Sequence, residues 1–164
     1  MEIERNCGKP FRKAIVGGTF DRLHKGHREL LSLACSIARS LIIGLADGPL
    51  IERKPLADKV LPFEERERAL REFLEREGVP YEIVKIFDPV GPAESAEEAD
   101  VIVVSTESYE GALLVNERRR MRGLRELKIV VLPLLLAEDG KPISSSRIRR
   151  GEIDPEGRLL TPIR

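Results

Sequence analysis

The feature that most restricts the fold is an alternation of short aliphatic runs with segments of helical periodicity. Lys13–Val16 is apolar and ends in Gly17-Gly18, which reads as a buried strand entering a loop. From Gly26 onward Leu30, Leu31, Ala34, Ile37 and Ala38 recur at helical spacing up to Arg39. Leu41–Ala46 is a second strand, followed by a long charged connection from Asp47 to Leu61. Pro62 suits the first turn of a helix whose apolar face is Phe63, Leu70, Phe73 and Leu74. Gly78 reads as its C-terminal cap, and Pro80 bars continuation. Tyr81–Ile86 alternates as a third strand, Asp88 to Asp100 is loop, and Val101–Val104 is a fully apolar fourth strand. A helix is predicted over roughly Tyr109 to Arg122, a fifth strand over Ile129–Leu132 and a short helix over Ser144 to Arg150.

Strands that are apolar throughout need cover on both faces, and parallel strands joined through helices provide it. The chain is therefore expected to be α/β, a Rossmann-like parallel five-stranded sheet with helices on both faces, in a single domain over residues 1–164. Ligands of such sheets bind beyond the carboxyl ends of the strands, where the strand order reverses. The loops leaving the first and fourth strands are the places to search.

The first of these loops runs Gly17-Gly18-Thr19-Phe20-Asp21-Arg22-Leu23-His24-Lys25-Gly26-His27. Its glycines allow close approach of a ligand to the backbone. A helix beginning near Gly26 turns unpaired N–H groups and a positive dipole end toward any phosphate there. Both histidines of the chain, His24 and His27, lie in this loop. The bland alternative is a tight turn with two surface histidines. Neither the GxxxxGK[ST] nor the GxGxxG pattern is present. A second segment, Ile143-Ser144-Ser145-Ser146-Arg147-Ile148-Arg149, follows Lys141-Pro142. Its hydroxyls either cap a helix start or, with Arg147, hold a pyrophosphate; the pattern alone leaves both readings open. Together the two segments would grip opposite ends of one polyphosphate.

Composition narrows the partners. The 28 Lys and Arg balance 28 Asp and Glu, so no net field favours a nucleic acid or an anionic membrane. The basic run Arg118–Arg122 sits in a chain with only 4% aromatic residues for base stacking. The longest apolar stretch, Ile129 to Ala137, is broken by Pro133 and too short to cross a bilayer. Glu2, Glu4 and Arg5 do not read as a signal peptide. Cys7 and Cys35 have no CxxC neighbour and read as reduced thiols. A cytoplasmic protein is expected, with no membrane or nucleic-acid partner, as a monomer or small homo-oligomer.

The two loops resemble those of the HxGH nucleotidyltransferase superfamily, in which a GTFDxxHxGH loop and an ISSSxIR-type helix bracket the nucleotide. Gly17–His27, Asp88-Pro89-Val90-Gly91-Pro92-Ala93, Val103–Arg118 and Ile143–Arg147 are similar to phosphopantetheine adenylyltransferases of the archaeal type. The adenylyltransferase half of the eukaryotic bifunctional coenzyme A synthase is similar too. The bacterial branch differs: it carries threonine at His24 and an RGLR-type stretch at Ser105–Tyr109. Cytidylyltransferases usually show RTEG where this chain has Asp139-Gly140-Lys141-Pro142, which counts against CTP or a nicotinate substrate.

What the resemblance implies is transfer of AMP from ATP to 4′-phosphopantetheine, with Mg2+ carried on the nucleotide and no separate protein metal cage. It implies in-line attack on the α-phosphorus without a covalent intermediate. His27 would donate to the α-phosphate, His24 would contact the polyphosphate, and Thr19 would orient the attacking phosphate. Gly18 and Phe20 would complete the nucleotide loop. Lys54 would be the phosphate-binding lysine, with Arg53 a rival. Ser144, Ser145, Ser146 and Arg147 would hold the β- and γ-phosphates, and Tyr109, Asn116 and Arg118 are candidate pocket residues. Other readings are a related transferase with a nicotinamide mononucleotide or phosphocholine-type acceptor, and an ATP-sensing module without turnover. The segment Gly151–Arg164 reads only as a polar tail.

Overall fold

The computed structural model describes residues 8–160. Strands β1 (Phe11–Gly18), β2 (Ala38–Ala46), β3 (Tyr81–Ile86), β4 (Val101–Ser105) and β5 (Lys128–Leu132) form a parallel sheet in the order β3-β2-β1-β4-β5. The helices are α1 (Lys25–Ile37), α2 (Pro49–Glu52), α3 (Phe63–Glu77), α4 (Tyr109–Met121) and α5 (Ser145–Arg149).

Strand alternation splits the sheet's side chains between two cores. Ala14, Val16, Leu41, Ile43, Val101 and Val103 pack against Leu31 and Ala34 of α1 and Leu70 and Leu74 of α3. Ile15, Ile42, Ile102 and Val104 pack against Ala112 and Val115 of α4. The central strands β1, β2 and β4 are therefore covered on both sides, which is why they lack the polar alternation of a half-exposed strand. From β1 the chain steps outward to β2 and β3, and then crosses to β4 on the other side of β1. The reversal opens a crevice past the carboxyl ends of β1 and β4.

Some boundaries differ from the sequence reading. The first helix stops at Ile37 rather than Arg39, and Ala38 turns straight into β2 with φ −125° and ψ 149°. Ala38 is fully buried and pairs with Phe11, so sheet pairing overrides its helical spacing. The 47–61 connection contains α2 and a 3-10 turn at Ala57–Lys59. Arg66 of α3 fastens it to the sheet, donating to the carbonyls of Leu61 (2.8 Å), Thr19 (3.0 Å) and Ala46 (2.8 Å). The stretch after Gly151 is no loose tail as far as Leu160. Ile153 is fully buried in a small cluster with Ala137 and Ile143. The Pro155 carbonyl accepts from Lys25 N–H at 2.9 Å, and Glu156 pairs with Arg28. Residues 161–164 and Cys7 lie outside the described residues; among those described, Cys35 is a buried free thiol. No helix among the described residues is long and apolar enough to cross a membrane.

Candidate active site

The loop after β1 places its side chains through an unusual cap. His24 is the N-cap of α1, and its Nδ1 accepts from His27 N–H at 3.3 Å. His27 answers, its Nδ1 accepting from His24 N–H at 3.2 Å. This is the geometry of a capping box, with imidazoles in place of hydroxyl and carboxylate. The rings stack with centroids 3.6 Å apart and an interplanar angle of 18°. Gly26 permits it, since a Cβ there would lie 2.9 Å from His24 Cε1. Phe20, at φ 49°, folds back so that its ring tilts against His27 at 5.2 Å.

The cap decides where the protons are. A neutral imidazole carries one N–H, and each Nδ1 here is already an acceptor, so the proton sits on Nε2 in both rings. Both rings are held neutral. Burial, then the Arg28 charge, lowers His24 to about 4 against a partial offset from Asp21. Burial, then the cost of protonating it beside His24 and the charges of Lys54 and Arg28, lowers His27 well below 6.5. His27 remains partly open to the cleft and offers it a neutral Nε2–H donor.

A pH dependence follows. The folded pKa values lie below that of an unfolded histidine, so the stability these rings contribute is complete above pH 6.5 and is lost as pH falls toward 4. The melting temperature is expected to drop across that window, and to drop less in His24→Asn, which keeps a capping side chain that does not titrate. The same neutrality predicts that His24 and His27 add no acid limb to activity between about pH 6 and 8 beyond the titration of the substrate phosphates, so the acid limb of the parent should persist unchanged in His24→Asn. An acid limb near about 6.5 that disappears in His24→Asn would contradict the neutral pair.

The crevice holds a cleft in two adjoining parts. One, of about 280 Å3, is lined by the Gly18–Phe20 turn, both histidines, Ser144–Ser146 and Arg149, with Leu132–Leu135 closing one side. The other, of about 310 Å3, is walled by Leu50, Ile86, Pro89, Ile102, Val104 and Val115. Gly17, Gly18, Thr19, Lys54, Glu107 and Ser108 line both. Burial, then the Arg149 charge, lowers the Lys54 pKa, and Glu107 and Asp21 oppose this. Arg53 is exposed and lines neither part, so Lys54 is the lysine at the junction.

The serines at the start of α5 cap the helix and also line the cleft. Ser144 caps the helix, accepting from Arg147 N–H at 3.3 Å, and Ser145 Oγ donates to the Asp21 carbonyl at 3.0 Å. The Ser145 bond ties α5 to the β1 loop while Ser144–Ser146 line the cleft.

Arg147 is a correction. It does not line the cleft, but is turned away into an ion pair with Asp139, a 2.8 Å bond to Glu152 Oε2 and a 3.0 Å bond to the Pro142 carbonyl. The cleft cation of α5 is Arg149, two residues on. Its Nε donates to the Pro55 carbonyl at 3.1 Å and its Nη1 to Asp21 Oδ2 at 2.8 Å, and the guanidinium lines the cleft. The signal was present in the final arginine of the ISSSxIR pattern. Arg147→Ala should leave the KM for ATP within a few-fold and lower stability by about 1–3 kcal/mol. Arg149→Ala should raise that KM at least tenfold, measured by steady-state kinetics beside thermal melts.

Three further candidates do not reach the cleft. Asn116 is buried and clamps Leu127, donating to its carbonyl at 3.0 Å and accepting from its N–H at 2.7 Å. Tyr109 is largely exposed, and Arg118 stands in solvent 4.0 Å from Glu94. The α4 residues that do line it are Gly111, Ala112 and Val115. Among the described residues no three His, Cys, Asp or Glu come together as a metal cage.

The fold and this cleft define a nucleotidyltransferase class of protein. Residues 15–151 match the cytidylyltransferase-like family, and the chain belongs to it. Within it, the chain groups with the archaeal phosphopantetheine adenylyltransferases. It is 46% identical to the phosphopantetheine adenylyltransferase of Thermococcus kodakarensis over 93% of each chain. It is 48% identical to that of Methanopyrus kandleri over 88% of this chain and 92% of the relative. A crystal structure of a protein of unknown function from Archaeoglobus fulgidus, 35% identical, superposes with a TM-score of 0.65 over 73% of this chain and 88% of that one. Pantothenate synthetase from Thermus thermophilus, at 19% identity and a TM-score of 0.57, shares the fold over 90% of this chain and 65% of its own.

Proposed function

We infer that this chain transfers AMP from ATP to 4′-phosphopantetheine, giving dephospho-coenzyme A and pyrophosphate. The observation that carries this is one cleft with two halves of opposite character meeting at Thr19 and Lys54. One half presents imidazole, hydroxyl and guanidinium groups to a polyphosphate. The other is walled by aliphatic side chains and suits a long, uncharged arm.

In this reading a phosphate oxygen of the acceptor attacks the α-phosphorus in line. A new P–O bond forms as the bond from the α-phosphorus to the bridging oxygen breaks, and that electron pair leaves with pyrophosphate. No protein nucleophile is needed, so catalysis is positioning and charge stabilisation. His27 Nε2–H donates to the α-phosphate as negative charge grows there, and its neutral state spares it a proton transfer. His24 Nε2–H contacts the polyphosphate beside it. Thr19, held through its carbonyl by Arg66, stands at the junction where the attacking phosphate must lie. Lys54 lies between the two phosphates, whose arrival favours its charged form. Ser144–Ser146 and Arg149 take the leaving β- and γ-phosphates, with Gly18 and Phe20 shaping the turn beneath. Mg2+ enters with ATP on its phosphates, and the reaction runs in the cytoplasm.

The test is a pyrophosphate-release assay with ATP or CTP against phosphopantetheine, nicotinamide mononucleotide and phosphocholine. ATP with phosphopantetheine and Mg2+ should be the productive pair. Preference for CTP, or an inert phosphopantetheine beside another active acceptor, rejects the assignment, and ATP binding without turnover of any acceptor marks a sensor.

A further inference from the structure

Gly111 is a glycine that the fold does not require. It lies in the first turn of α4, where glycine is a poorer helix former than alanine. Its φ is outside the left-handed region that favours glycine. The other glycines with such φ values touch something. A Cβ at Gly18, Gly26 or Gly44 would come within 3.2, 2.9 or 3.1 Å of a neighbour, and Gly17 meets the Gly44 carbonyl at 3.9 Å. A Cβ at Gly111 would meet nothing within 4 Å. The space it would enter is the aliphatic half of the cleft, which Gly111 lines beside Ala112 and Val115.

We propose that Gly111 is a specificity-determining residue, whose missing side chain makes room for the acceptor's arm to lie against α4. This rests on the reading of the aliphatic half as the acceptor site. Leu50, Ile86 and Pro89, from other elements, line the same half. A side chain at residue 111 takes up space in that half, whereas the histidines and α5 line the other. Substitution therefore discriminates against an extended amide chain while sparing the nucleotide.

The experiment compares Gly111→Ala and Gly111→Leu with the parent by thermal melting, ATP calorimetry and steady-state kinetics on phosphopantetheine. Gly111→Ala should melt at or above the parental temperature. Its KM for phosphopantetheine should rise about threefold to tenfold, and that of Gly111→Leu about thirtyfold or more, in line with the effect of added methylenes in a pocket. The Kd for ATP should stay within twofold in both. An unchanged acceptor KM in both variants overturns the proposal, as does a parallel loss of ATP affinity. If Gly111→Leu fails to fold, Gly111→Ala decides by the same KM criterion. Parent turnover in the same assay separates the two levels. A parent inert on phosphopantetheine rejects the acceptor reading and this proposal with it. An active parent with insensitive variants rejects Gly111 alone.

Discussion

His27→Ala is expected to lose about 10²–10³ in kcat while binding ATP within a few-fold of the parent. A donor that strengthens as charge builds on the α-phosphate oxygens lowers the barrier without tightening the ground state. The reciprocal cap with His24 sharpens the test, because the two nitrogens of His27 have separate duties. Asparagine places an amide oxygen near the Nδ1 position, keeping the acceptor for His24 N–H but removing the cleft donor. Glutamine places an amide N–H near Nε2 and sacrifices the cap. His27→Asn should therefore be about as stable as the parent and as slow as His27→Ala. His27→Gln should recover part of kcat and be less stable, by about 0.5–2 kcal/mol for a lost cap. Single-turnover kinetics with calorimetric ATP titration would read both effects. Near-parental kcat in His27→Ala would remove this loop from the chemistry.

The centre of the sheet was legible because its strands are covered on both sides. Val101–Val104 and Leu41–Ala46 are apolar without interruption, and only a doubly covered strand tolerates that. Their crossovers then fixed where the crevice must open, and the β1 loop and the Ser144–Ser146 segment both line it. Individual charges were not legible. Arg147 and Arg149 stand two residues apart on a five-residue helix, and which one enters the cleft depends on acidic partners that only the fold selects. Asp21, from the β1 loop, draws Arg149 inward, while Asp139 and Glu152 hold Arg147 outside. Asn116, a candidate pocket residue in the segment after the fourth strand, instead spends its amide on the Leu127 backbone. Arg66 gave no signal at all. It stands in the charged run of α3, and only the folded chain shows that it is 2% exposed and bound to three carbonyls.

Asp21→Leu is expected to be the most destabilising single change at the site, by about 3–5 kcal/mol, because it strands a buried cation. Asp21 is fully buried, and Arg149 beside it is 2% exposed along its side chain. The carboxylate receives Arg149 Nη1 at 2.8 Å, Arg22 Nη1 at 3.2 Å and Leu61 N–H at 3.0 Å, so it ties α5 and the 47–61 connection to the β1 loop. For a chain of this length the loss corresponds to a fall of about 10 °C in melting temperature. Breaking a buried pair costs more than replacing it, since two apolar side chains leave no unpaired charge. The double variant Asp21→Leu/Arg149→Met should therefore melt closer to the parent than Asp21→Leu does. Stability and binding then part company: the double variant regains its fold but keeps a raised KM for ATP, because the guanidinium of Arg149 no longer faces the polyphosphate. Melting curves and ATP kinetics on the three proteins decide it. An Asp21→Leu protein that melts within about 2 °C of the parent would show that the pair is not what joins the three segments, since a buried charge left unpaired carries a far larger penalty.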